Sequence, residues 1–193
     1  YTAVDSLGLV FFAANDGVTG YELWKSDGTT AGTELVLDIR ASGDSKPTVL
    51  HALGDVLLFR ALDGTGSSLW RSDGTAAGTE FVHERGFSSS VHAVGSRWIY
   101  YRASDLAIGN ELWRTDGTTA ELVADVHPTG SGEVTHIALV SGEVLFFAND
   151  GTTGLELFKV PADATSQEVG ASCAAPGTDP RLSATDPAWL TTW

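Results

Sequence analysis

One cysteine, Cys173, serves the whole chain, so no internal disulfide can form and pairing says nothing about the redox compartment. Methionine is missing altogether, an initiator included, which implies either a removed leader or a piece of a longer protein; a processed, exported protein fits that pattern. Basic side chains are scarce, 11 against 25 acidic ones, for a net charge of −14. Phosphate backbones are bound by neutralising them with Lys and Arg, so nucleic acid is not expected as a partner, and anionic membrane surfaces are disfavoured on the same ground. The acidity suits solubility, or the attraction of cations and basic partners. Long apolar runs are also lacking. The longest, LGLVFFAA at 7–14, is strand-sized and far short of the roughly 18–20 residues of a membrane helix, so no membrane insertion is expected. No window carries the 3.6-residue apolar spacing of an amphipathic helix. The G-x-S-x-G elbow and the G-x-x-x-x-G-K-[ST] phosphate loop are both missing, and no other catalytic set is visible. The chain therefore reads as non-enzymatic.

What is present is repetition. The stretch ELWKSDGTTAGTEL at 22–35 returns as SLWRSDGTAAGTEF at 68–81, as ELWRTDGTTAEL at 111–122, and begins again as ELFKVPAD at 156–163. The anchors Trp24, Trp70, Trp113 and Phe158 stand 46, 43 and 45 residues apart. Each unit holds four strand-like runs, as in PTVLHAL, VLLFRAL, SSLWRS and TEFVHE between 47 and 84, rich in Val, Leu, Phe, Trp and Thr and bounded by Gly, Asp and Ser turns. Both faces of the central strands are apolar, as the neighbours Leu23 and Trp24, or Leu57 and Leu58, illustrate. A sheet covered on one side only would alternate polar with apolar residues. Small four-stranded sheets that are apolar on both sides and recur every 40–50 residues are the sequence form of propeller blades. The expected fold is all-β, a β-propeller of four four-stranded blades over 1–165, in approximate units 1–43, 44–87, 88–130 and 131–169. An irregular tail at 170–193, rich in Ala, Pro, Gly and Thr, is expected to close the ring, to dock, or to link to a missing region. Trp189, Leu190 and Trp193 favour docking. Four blades as part of a longer ring is the rival arrangement.

The run FFAANDGVTGYELWKSDGTTAGTELVLDI at 11–39 resembles the bacterial ELWxxDGTxxGT repeat of large secreted or surface proteins. The likeness covers about residues 1–160. The third copy replaces its DG turn with SDLAIG at 104–109, and the fourth departs at Pro161. The resemblance implies a propeller fold and export to the cell surface or medium. It implies no catalytic residue.

Candidate sites come from side chains that the repeat brings round more than once. The loops NDGVTGYE and NDGTTGLE place Asn15, Asp16 and Glu22, and again Asn149, Asp150 and Glu156, close together, and oxygen donors of this kind suit calcium. The competing reading is a capped glycine turn, which also serves for Asp27, Asp73 and Asp116 in the SDGT and TDGT turns. His51, His92 and His136 all fall in the first strand of their units, the strand that lines a propeller channel, and three imidazoles on one axis would hold a transition metal. Counting from the following Gly aligns His51 with His92 but leaves His136 earlier in its strand. His83 and His127 lie in outer strand or loop positions and are expected to be solvated. Trp98, Tyr100 and Tyr101 would make either a carbohydrate-stacking platform or core. The function that fits is an exported binding or scaffold module, contacting a glycan, peptide or protein through loops on one rim. The alternative is a metal-binding protein or metal-dependent enzyme centred on the three histidines.

Overall fold

A computed structural model describes residues 1–84, 92–95, 97–105 and 107–162. The tail expected at 170–193, with Cys173, Trp189, Leu190 and Trp193, lies outside them. The chain is all-β, in four antiparallel sheets that follow one another along the sequence. The first runs β1 (Thr2–Val4), β2 (Leu9–Asn15), β3 (Tyr21–Ser26) and β4 (Glu34–Leu37), and the second β5 (Thr48–Leu53), β6 (Val56–Leu62), β7 (Ser67–Ser72) and β8 (Glu80–His83). The third comprises β9 (His92–Val94), β10 (Ile99–Asp105), β11 (Gly109–Thr115) and β12 (Ala120–Ala124), and the fourth β13 (Thr135–Val140), β14 (Glu143–Asn149) and β15 (Leu155–Pro161). Strands pair in sequence order within every sheet, so each sheet is a simple meander. The fourth has three strands among the described residues. Among those residues no helix is long and apolar enough to cross a membrane.

Register explains why the repeat pattern recurs. Phe12 pairs with Trp24, Phe59 with Trp70, and Phe146 with Phe158, so in the first, second and fourth sheets the aromatic anchor of the third strand meets a phenylalanine on the second. The turn beyond the third strand is set by Asp and Gly. Asp27 Oδ1 accepts the Thr29 amide at 2.9 Å, Asp73 Oδ1 accepts the Thr75 amide at 2.8 Å, and Asp116 Oδ1 accepts the Thr118 amide at 2.9 Å. The following Gly28, Gly74 and Gly117 take φ near +90°, where a Cβ would be strained. These aspartates are turn caps, as their sequence context implied.

The residues cluster into two compact units. The first holds the first two sheets with residues 115–120. Its core joins Val4, Phe11, Leu23 and Val36 of the first sheet to Leu57, Phe59 and Ala61 of the second. Leu57 and Leu58 are both fully buried, which bears out the two-sided apolar reading. The first strands β1 and β5 lie side by side, and Ser6 Oγ donates to the Gly54 carbonyl at 3.2 Å. The second unit holds most of the third sheet together with the fourth. Tyr100, Tyr101, Leu112, Val144 and Phe146 are fully buried in it, the Phe146 and Phe158 rings stack at 5.8 Å, and Tyr100 Oη donates to the Ala162 carbonyl. Tyr100 and Tyr101 are core, not a stacking platform. Trp98 is half-buried, with the Arg97 guanidinium 4.8 Å above its ring.

Candidate functional site

The recurring glutamate of the ELW triplet organises the loops at one end of the first sheet. Glu22 is fully buried on β3. Its Oε2 accepts the Ile39 amide at 3.1 Å and its Oε1 the Ser45 amide at 2.8 Å, so one carboxylate clamps both ends of the connection from β4 to β5. Asp44 Oδ1 accepts the Tyr21 amide at 3.0 Å, and the Tyr21 carbonyl accepts the Lys46 amide at 2.9 Å. The Ser45 carbonyl then accepts the Leu62 amide of β6 at 2.7 Å, which hands the clamp on to the second sheet. Lys46 sits at φ 46°, a left-handed conformation disfavoured for a residue with a Cβ and held here by these bonds.

The second unit repeats the device. Glu111, fully buried on β11, accepts the Val126 amide at 3.0 Å and the Gly132 amide at 2.5 Å. The Gly132 carbonyl accepts Asn149 N–H at 2.7 Å, and Glu133 takes φ 50°, the place of Lys46. Burial pushes the Glu111 carboxyl up to about 7 against the opposing pull of its two amide donors, and the nearby Asp125 carboxylate adds to the rise. In the second sheet Ser68 replaces the glutamate, and its hydroxyl donates to Asp63 Oδ2 at 2.7 Å.

A cleft of about 410 Å³ opens between the β2–β3 turn and the clamped connection, with Asn15, Val18 and Thr19 on one wall and Ala41, Ser42 and Gly43 on the other. Val18 is 88% exposed. The turn is braced by its own side chains: Asn15 Oδ1 accepts the Gly17 amide at 2.7 Å, and Asp16 Oδ1 accepts the Val18 and Thr19 amides at 2.8 Å each. The matching turn in the second unit is braced alike, Asn149 Oδ1 accepting from Gly151 and Asp150 Oδ1 from Thr152 and Thr153. These amide donors, Thr19 first for Asp16 and Thr153 first for Asp150, hold both carboxyls below the ordinary carboxylate range.

The oxygens proposed for calcium thus divide between two places in each copy. Asn15 and Asp16 bind their own turn, while Glu22 reaches away to residues 39 and 45. Asn149 and Asp150 do the same, and Glu156 is half-buried on β15. The three channel-candidate histidines are on the first strands of their sheets, His51 in β5, His92 opening β9 and His136 in β13. His51 pairs with Leu58, whereas Ala138 occupies the equivalent place opposite Leu145. His136 therefore stands two residues early, inside a bulge at φ 51°, with its exposed ring edge-on to Phe147 at 6.0 Å. The His92 side chain lies outside the described residues, among which no group of three His, Cys, Asp or Glu suited to a metal occurs.

One histidine departs from expectation. His127 is half-buried: its ring lies against the backbones of Gly130 and Gly151, both bare of a Cβ that would collide with it, and its Nδ1 is buried without a partner among the described residues. Sequence reasoning also missed the clamp. The signal available was an acidic residue recurring before an apolar pair, in strands otherwise apolar on both faces.

No family's sequence profile matches this chain, and no curated protein matches it. Similar solved structures include TolB from Acinetobacter baumannii, 11% identical with a TM-score of 0.48, over 80% of this chain and 39% of that one. Another is a nidogen/laminin complex, 13% identical with a TM-score of 0.41, over 81% of this chain and 58% of that one. The chain spans less than two thirds of either.

Proposed function

We propose that the four sheets are blades of a β-propeller of the ELWxxDGTxxGT kind, and that the chain is an exported, non-enzymatic binding module which takes a glycan, peptide or protein on its loops. The observation that carries this reading is the cleft between the Asn15–Gly20 turn, braced by Asn15 and Asp16, and residues 41–43, whose connection a buried carboxylate holds at 39 and 45. A recess held this firmly loses little ordering entropy when a ligand enters. Its hydroxyl, amide and backbone walls are uncharged, which favours a neutral polar ligand such as a glycan over an ionic one. The test is to probe glycan and peptide arrays with the labelled chain and with Ser42→Trp, which plugs the cleft from an exposed loop. Binding to an array component, reduced at least about tenfold by Ser42→Trp with the circular dichroism unchanged, is the expected result. Binding that ignores the plug sinks the reading.

A second reading, a metal-binding protein or metal-dependent enzyme, draws on the common strand position of His51, His92 and His136. Elemental analysis of untagged protein tests it: a stoichiometric transition metal that disappears in His92→Ala supports it, and protein free of metal after refolding with zinc removes it.

A further inference from the structure

The face of the first sheet that packs on the second carries one aromatic side chain left uncovered by that packing. Directly opposed residues of a hairpin share a face, so Phe11 with Lys25, Ala13 with Leu23, and Asn15 with Tyr21 lie on one side of β2 and β3. Phe11 and Leu23 are fully buried in the core they build with Leu57, Phe59 and Ala61 of the same unit. Tyr21, at the end of this row, is 50% exposed.

The backbone under the Tyr21 ring is fixed. Its amide donates to Asp44 Oδ1 at 3.0 Å, and its carbonyl accepts the Lys46 amide at 2.9 Å and the Ser45 hydroxyl at 3.3 Å. Its opposed residue Asn15 and its chain neighbour Gly20 both line the cleft of the first sheet. Gly20 is where the turn meets the facing wall, since a Cβ there would collide with Gly43 and Asp44. Tyr21 follows directly and so stands at the rim of the cleft. Its counterparts are Ser67 in the second sheet and Leu155 in the fourth, so among these three the ring is particular to the first.

The polar groups beside the ring are uncharged or already committed. Asn15 Oδ1 takes the Gly17 amide, while among the described residues Asn15 Nδ2 and the Ser42 hydroxyl have no partner. The Asp16 carboxylate is occupied by the amides of Val18 and Thr19 and by the Thr19 hydroxyl, and Asp44 pairs with Lys46 at 3.5 Å. A rigid aromatic ring next to free hydroxyl and amide groups matches a pyranose, which is apolar on its C–H faces and polar around its edge. An extended peptide is served less well. β2 lies between β1 and β3, and β3 between β2 and β4, so neither offers an open edge for a peptide strand to join. The net charge of −14 disfavours uronic and sialic acids.

We infer that Tyr21 is the stacking residue of this cleft and that the ligand is a neutral hexopyranose, with one C–H face on the phenol ring and its edge hydroxyls turned to Ser42 and Asn15. This rests on the reading of the cleft as the binding site, and adds to it the ligand class and the side chain that selects it.

The test is calorimetric titration of the 193-residue chain with the neutral hexose oligosaccharide that binds best on a glycan array. Tyr21→Leu installs the side chain that the fourth sheet carries at this place, on an exposed position, and is expected to fold. Its affinity is expected to fall about five- to tenfold, the scale of one aromatic contact. Tyr21→Trp is expected to bind at least as tightly as wild type, and Tyr21→Phe within about twofold of it, because the ring face and not the hydroxyl makes the contact. Array binding confined to sialylated, uronate-bearing or peptide components overturns the inference, as does a Tyr21→Leu chain that binds like wild type. In those cases the cleft itself still stands as the site if Ser42→Trp blocks binding, whereas a chain that binds no component removes both readings. Should Tyr21→Leu fail to fold, a roughly tenfold loss in Tyr21→Phe overturns the stacking role instead.

Discussion

Glu22→Ala is expected to lower the unfolding free energy by about 3–5 kcal/mol, read as a shift of the denaturant midpoint at constant slope. The Ile39 and Ser45 amides both lose a charged acceptor, and Ser45 is fully buried, so its amide cannot turn to water instead. An amide donating to a carboxylate contributes about 1.5–3 kcal/mol, and a buried donor left unpaired costs a comparable amount. Glu22→Gln keeps one accepting oxygen and turns an NH₂ toward the other amide, so it is expected to lose roughly half as much. The loss reaches beyond the first sheet, because the Ser45 carbonyl also holds the Leu62 amide. Hydrogen exchange at Leu62 in Glu22→Ala provides the check: faster exchange there follows from the clamp, and unchanged protection at both Ser45 and Leu62 contradicts it.

Titration of Glu111 is expected to make the protein less stable as pH rises from 4.5 to 7. The carboxyl is pushed up to about 7 in the folded protein, against an ordinary value of 4.5. Below pH 4.5 folded and unfolded chains both carry the proton. Between 4.5 and 7 the unfolded chain releases it and the folded chain retains it, so each rise in pH favours unfolding. The accumulated loss is on the order of 3 kcal/mol and levels off above pH 7. Asp16, Asp27, Asp73, Asp116 and Asp150, all held low, act in the opposite sense: their contribution is complete above about pH 4 and fades as acid protonates them. Denaturant melts across pH 3–8 for wild type and Glu111→Gln separate the two effects. The variant is expected to keep the acid limb and lose the decline toward neutrality. A decline that persists in Glu111→Gln rules out Glu111 as its source.

The fold was legible wherever its determinants are local. Adjacent apolar residues such as Leu57 and Leu58 announce a sheet covered on both sides, and Asp followed by Gly-Thr announces the turn that Asp73 caps. Four strands per unit emerged from the same local pattern in the first three sheets. The clamp was hidden because its donors stand 17 and 23 residues from Glu22, on a connection with no regular period. His127 was misjudged for a related reason. Its loop position looked open to solvent, but two glycines, one of them 24 positions away in another sheet, leave a slot the imidazole fills. His136 stands within the bulge between Thr135 and Ala138, two residues ahead of the position His51 occupies opposite Leu58.

The division of labour around Glu22 and Glu111 also says which parts of such a chain are free to vary. The connection beyond the fourth strand is pinned at both ends by one side chain and tethered to its neighbour, so its length is set. The hairpin turns at 15–20 and 104–109 make no such demand, and the third copy has already rewritten its own without losing the buried glutamate that follows. The hairpin tips are where a new sequence can be installed in one unit while the spacing of the others stays as it was.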